Sequence, residues 1–252
     1  MNRVEQSDLT YKRLFCKNPV EAPLQASNPE LQTILNRLIF GEVFVAGSLP
    51  DTTRELITVV TLTVLQTMDP LRAHVGAALH VGVSPVQVQE AIYQCAPYIG
   101  FPKTIEALQV MNQEMAEHGI ALPLPLQGRT TEQDRLEKGM AVQKQIFGKT
   151  IDQMRAQAPA EEAHIQDYLS AFCFGDFYTR DGLSLQMREL LTLCMLVALG
   201  GCENQIKAHL RGNLQVGNDV STMLDALTQC LPYVGFPRTL NALACLHEAK
   251  EK

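Results

Sequence analysis

The sequence contains no Cys-x-x-Cys and no His-x-x-x-His pair, and its six histidines are scattered, so the ligand spacings of a zinc site are missing. It also has no glycine-rich phosphate loop and no nucleophile elbow, and no cofactor is implied. Lys and Arg form no cluster and the net charge is −6, which argues against nucleic acid or an anionic membrane as partner and leaves a small molecule as the default. No apolar run reaches the ~20 residues of a membrane span. The longest, Leu56 to Met68 and Leu190 to Cys202, suit buried helices. The N-terminus, MNRVEQSDLTYKRLF, has charges where a secretory leader needs an apolar core. Seven cysteines at irregular spacing do not form a disulfide framework, so a cytoplasmic protein with reduced thiols is expected.

What the sequence does contain is a duplication. Gln94 to Leu108, QCAPYIGFPKTIEAL, returns 135 residues later as Gln229 to Leu243, QCLPYVGFPRTLNAL, with ten of fifteen positions identical. One structural unit is therefore encoded twice. Arg54-Glu55 recurs as Arg188-Glu189, and Ala73-His74 as Ala208-His209, with Gly82 and Gly217 eight residues on. The offset grows by one between these pairs, which places an added residue in the turn around Gly200-Gly201.

Residues 1–28, with Pro19 and Pro23 and little periodicity, read as an N-terminal arm with one helical turn. The first repeat, 29–120, opens with a helix at Pro29 that carries Leu31, Ile34, Leu35, Leu38 and Ile39 at i, i+3, i+4 spacing. A second helix follows Pro50, a third spans Pro70 to Val81, a fourth Ser84 to Ile99, and a fifth runs from Pro102 to about His118. ALPLPLQGRTT, 121–131, is a linker. The second repeat, 132–252, adds a helix over Thr131 to Phe147 and then repeats the plan: Ala160–Phe174, Ser184–Leu199, Asn204–Val216, Val220–Val234 and Pro237–Lys250. Nothing reads as a strand. The expected fold is all-α, two tandem bundles of five to six helices each, with the longest apolar helices at the centre and the repeats related by a pseudo-twofold.

Several residues could carry chemistry. His74 and His209 lie on apolar helix faces, where an imidazole is either a satisfied core group or, beside a carboxylate, a proton carrier near neutral pH. Thr52 and Glu55 have capping-box spacing, which accounts for Glu55 structurally. In the second repeat Gln186 replaces that Thr, Ser184 becomes the cap, and Glu189 falls a turn inside an apolar helix, where it needs a partner; His209 on the next helix is the candidate. Cys95, Cys194 and Cys230 read as packing. Cys202, beside Gly-Gly and seven residues before His209, stands apart. In the repeated segment the prolines and glycine read as helix punctuation between two packed helices. Tyr98 and Tyr233 either line a pocket or cap a buried chain end.

Arg-Glu opening a buried helix, His about twenty residues later, Gly eight beyond it and then PY-GFP together resemble the carboxymuconolactone decarboxylase and alkyl hydroperoxidase D superfamily. The second half resembles a single-domain member nearly end to end; the first half matches from about Leu31 to Glu117 without the extra N-terminal helix. The resemblance implies an all-helical fold assembling as trimers or hexamers, here a trimer of two-repeat chains, and two chemistries. In the peroxidase branch a Cys-x-x-Cys attacks and resolves, with Glu and His relaying the proton. Glu189, His209 and Cys202 match that pattern, but Gln205 stands at the second thiol, and Thr67 and Pro70 stand at both thiol positions beside Glu55 and His74. Without a resolving Cys the dithiol cycle cannot run within either repeat. The decarboxylase branch needs no cysteine: His209 would deliver the proton, Glu189 would be its partner, and Arg188 or Arg211 would hold substrate carboxylates. Three readings stand: a cofactor-independent lyase acting on a small carboxylated lactone, a peroxidase using Cys202 with an outside resolving thiol, and a non-catalytic oligomeric binding module.

Overall fold

The computed structural model describes residues 1–19 and 24–250, so Pro23 and the final two residues lie outside the described residues. Every regular element among them is helical. The first repeat comprises α1 (Arg3–Phe15), α2 (Pro29–Ile39), a short 3-10 turn (Val43–Val45), α3 (Asp51–Leu65), α4 (Met68–His80), α5 (Pro85–Tyr93), α6 (Ala96–Ile99) and α7 (Phe101–Glu117). The second comprises α8 (Arg135–Phe147), α9 (Thr150–Gln157), α10 (Ala163–Tyr168) continuing into a π-helical stretch (Leu169–Tyr178), α11 (Leu185–Leu199), α12 (Glu203–Gln215) and α13 (Val220–Lys250). α13 bends at Gly235, whose φ of +76° is not helical, so it stands for α5 to α7 drawn into one run.

The arm expected over 1–28 is instead a 13-residue helix closed by a full capping box between Asn2 and Glu5. Its polar surface hides the period: only Ser7, Thr10, Tyr11 and Leu14 are buried. Burying Leu14 completely is worth roughly 1.5–3 kcal/mol, enough to dock the helix. α1 is the counterpart of α8, so the first half does not lack that helix. Gly41 and Gly175 mark the equivalence, since a Cβ on either would collide with the carbonyl oxygen of Arg3 or Arg135 on the helix crossing it. Cys16 and Gly148 both end their helices at positive φ, 54° and 65°.

α3 and α11 form the centre, as their apolar composition dictates. Every residue from Thr53 to Val64 and from Arg188 to Ala198 is buried. The two helices pack on each other, and one continuous core extends from Leu56 through Leu246 across both repeats. The repeated segment is where they lock. Gln94 accepts a hydrogen bond from Arg188 Nη1 at 2.8 Å and donates to the Arg188 carbonyl at 2.8 Å. Reciprocally, Gln229 accepts from Arg54 Nη1 at 3.2 Å and donates to Thr58 Oγ1 at 3.1 Å. The acid one turn earlier takes part on each side: Glu90 accepts from Arg188 and Arg180, and Asp225 accepts the Ser48 N–H at 2.8 Å. The segment is more than a turn between packed helices. It is a two-way clamp between repeats, which explains why its Gln survived duplication.

Candidate active site

Ser184 caps α11 by accepting the Met187 N–H at 3.1 Å, which sets Glu189 inside the helix and fully buried. Gly200 and Gly201, with φ of +71° and +68°, turn the chain back so that α12 runs alongside α11. His209 Nδ1 then lies 2.9 Å from Glu189 Oε2. Gly212 packs against the carboxylate, a Cβ there coming within 2.6 Å of that same oxygen. Asn213 fixes both helices by donating to the carbonyls of Glu189 at 3.0 Å and His209 at 2.8 Å. With Nδ1 committed to the carboxylate, Nε2 is the ring nitrogen left to exchange a proton.

The other carboxylate oxygen is held too. Tyr178 donates to Glu189 Oε1 at 2.8 Å and its hydroxyl lies 2.7 Å from Thr192 Oγ1, itself a 2.9 Å acceptor from Gln94. Tyr98, from the first repeat, completes the cluster, its hydroxyl 3.3 Å from that of Tyr178 and 3.7 Å from Cys173 Sγ. Burial pushes both phenols well above the usual tyrosine range, with the Glu189 charge adding to the effect, so both stay protonated donors. The π-helical stretch contributes here, since its i→i+5 spacing brings Cys173 and Tyr178 to the same hydroxyl. The helix expected to end at Phe174 therefore continues to Tyr178.

A cavity of about 840 Å³ opens onto this cluster, and Tyr98, Cys173, Gln205, His209 and Arg211 are in its wall. Glu189 and Tyr178 lie behind that wall. Burial pushes the Cys173 thiol up to about 12, so it faces the cavity as a neutral SH. Cys202 is not in the cavity wall; it ends the turn before α12 and donates to the Gly200 carbonyl at 3.3 Å. Its thiol is raised by burial and then by Glu203, opposite to the depression a peroxidatic cysteine needs. Arg188, considered for substrate carboxylates, is fully buried away from the cavity, on Gln94, Glu90 and the carbonyls of Arg180 and Asp181. Its adjacency to Glu189 in sequence turns it about 100° away around α11. Among the described residues, no group of three or more His, Cys, Asp and Glu could hold a metal.

The first repeat keeps the pair and loses its support. His74 Nδ1 lies 2.8 Å from Glu55 Oε2. The helix begins after Pro50 with no side-chain cap, so Thr52 and Glu55 do not form the capping box their spacing suggests. Phe44 stands where Tyr178 stands in the second repeat, and among the described residues Glu55 Oε1 has no hydrogen-bond partner. His74 is packed between the rings of Phe15 and Tyr233, at 5.5 and 5.9 Å, whereas His209 meets Phe147 at 5.2 Å and the cavity. Tyr233 thus meets His74 of the other repeat, Tyr98 meets the Tyr178 and Thr192 hydroxyls beside Glu189, and neither caps a chain end. Sequence reasoning missed Tyr178, Thr192 and Cys173. The Phe44 to Tyr178 spacing equals that of the two Arg-Glu pairs and carried the signal.

The profile of the Carboxymuconolactone decarboxylase family matches residues 29–113 and again 163–248. The chain is similar to a 4-carboxymuconolactone decarboxylase of Acinetobacter baylyi, at 33% identity over 94 residues, which is 37% of this chain and 70% of that protein. With two matched copies covering most of its length, each holding a buried Glu–His pair, the chain belongs to the carboxymuconolactone decarboxylase family as a tandem two-repeat member.

Proposed function

We propose that the second repeat is a cofactor-independent carboxy-lyase acting on a small carboxylated lactone. The observation that carries this reading is the buried Glu189–His209 pair at 2.9 Å with its imidazole in a cavity wall. In the reaction the bond between ring carbon and carboxylate breaks, CO2 leaves, and the electron pair spreads into the lactone as a dienolate. Protonated His209 then gives its Nε2 proton to carbon and is recharged from water. Glu189 stabilises the imidazolium, and Tyr178 with Thr192 holds Glu189 in place. The apolar wall helps by desolvating the carboxylate that is lost. The first repeat, with an unsupported Glu55, is a structural copy. Cys202 has no part in this scheme.

The test is CO2 release by purified protein from 4-carboxymuconolactone and related lactone acids. General acid catalysis contributes about 10²–10⁴-fold, so His209→Ala is expected to fall by that much. An inactive wild type across the panel sinks the reading.

A further inference from the structure

The cavity wall contains one buried amide. Of the nitrogen-bearing side chains in that wall, Gln205, Arg211 and Gln215 are exposed, whereas His209 and Gln143 are buried, Gln143 to 2% exposure. Gln143, from α8, is held at one end: its carbonyl oxygen accepts the Ser170 hydroxyl at 2.7 Å. Ser170 in turn accepts from Arg155 Nη1 at 3.2 Å, and Arg155 is paired with Asp167. A guanidinium can only donate, so the hydroxyl hydrogen is left for the Gln143 carbonyl and the amide nitrogen faces away from Ser170. That nitrogen has no hydrogen-bond partner among the described residues, although leaving a buried donor unmade is costly. The fold does not require an amide here. Tyr11 stands four residues before Phe15 as Gln143 stands four before Phe147, and it packs on Phe15 and Phe40.

We infer that Gln143 Nε2 is a substrate contact that donates to the lactone carbonyl oxygen, which becomes the dienolate oxygen as CO2 leaves. The inference deepens the lyase reading and rests on it for the reaction. Gln143 precedes Phe147 by one turn of α8, and the Phe147 ring meets the His209 imidazole at 5.2 Å, so α8 and α12 bring the amide and the imidazole to one cavity. The two divide the work: the amide receives the charge on oxygen and His209 protonates carbon. The carboxylate that is lost still lies against the apolar side chains of the wall. A hydrogen bond to a charged oxygen is roughly twice as strong as one to a neutral carbonyl, so the contact tightens as the dienolate forms. Because Ser170 holds the amide in advance, the donor needs no reorganisation at that moment.

The experiment is calorimetric titration of the full chain with tetronate, a stable lactone enolate, and with but-2-en-4-olide, a neutral lactone. Gln143→Met is expected to lose at least about tenfold in affinity for tetronate and less than about threefold for the neutral lactone. Gln143→Glu keeps an acceptor for Ser170 while removing the amide donor, so an equal loss of tetronate there separates the missing donor from a loosened helix. With a lactone acid that turns over, Gln143→Met should lower kcat by about 10²-fold and leave KM within about threefold. Tetronate held within about twofold of wild type by both variants, equal losses for the two probes, or no binding of tetronate by the wild type would overturn the inference. Absence of CO2 release from every lactone acid, with tetronate still bound through Gln143, would count against the lyase reading alone.

Discussion

The Tyr178 hydroxyl donates to Glu189 Oε1 at 2.8 Å, and its counterpart in the first repeat is Phe44, which leaves Glu55 Oε1 without a partner among the described residues. This oxygen is one clear difference between the two Glu–His pairs. Tyr178→Phe should therefore lower kcat/KM by about tenfold, the cost of leaving a buried acceptor unmade being ~1–3 kcal/mol. An unchanged kcat/KM would assign Tyr178 to packing alone.

The reverse substitution makes a prediction about stability. Phe44→Tyr places a donor near Glu55 Oε1 and should stabilise the fold by about 1 kcal/mol, read as a raised thermal midpoint. A lowered midpoint would mean that the added oxygen overpacks the site.

Arg188 and Gln94 are expected to act through the fold. Removing one member of a buried pair costs about 3–5 kcal/mol, so Arg188→Ala should lower the urea midpoint sharply. Gln94→Ala should show strong non-additivity with it in a double-mutant cycle. If Arg188→Ala instead raised KM with the midpoint unchanged, the residue would belong to substrate binding.

How far these roles could be read from sequence depended on whether local spacing admitted a competing explanation. Glu189 was legible because Gln186 removed the cap and left an acid inside an apolar helix; Glu55 was masked by Thr52, although Pro50 is the residue that precedes the helix. The all-helical plan and the central α3 and α11 followed from apolar patterning, and the added residue at Gly200-Gly201 from the change in repeat offset. α1 did not, because few of its residues are apolar and its docking depends on Gly41, distant in sequence. The role of the repeated segment was illegible for the same reason. Gln94 and Tyr98 act on the other repeat, and no pattern within one repeat reveals a partner in its copy.

Alkaline pH should destabilise the protein. Tyr98, Tyr178 and Cys173 all have their pKa raised by burial, so above the ordinary thiol and phenol values the unfolded chain loses protons that the folded chain keeps. Stability is then fully present below pH ~9 and falls as pH rises beyond it, as the ordinary thiol and phenol values dictate. Cys173→Ala combined with Tyr98→Phe should flatten the slope measured by urea titration between these pH values. An equal slope in wild type and variant would contradict the burial argument.

The most direct measurement compares His209→Gln with His74→Gln in CO2 release from the same lactone acids. The cavity, the Tyr178 bond and Tyr98 all serve His209, so His209→Gln should lose at least about a hundredfold in kcat while His74→Gln stays within about twofold. Equal losses in the two variants, or a larger loss in His74→Gln, would contradict the assignment of the chemistry to the second repeat.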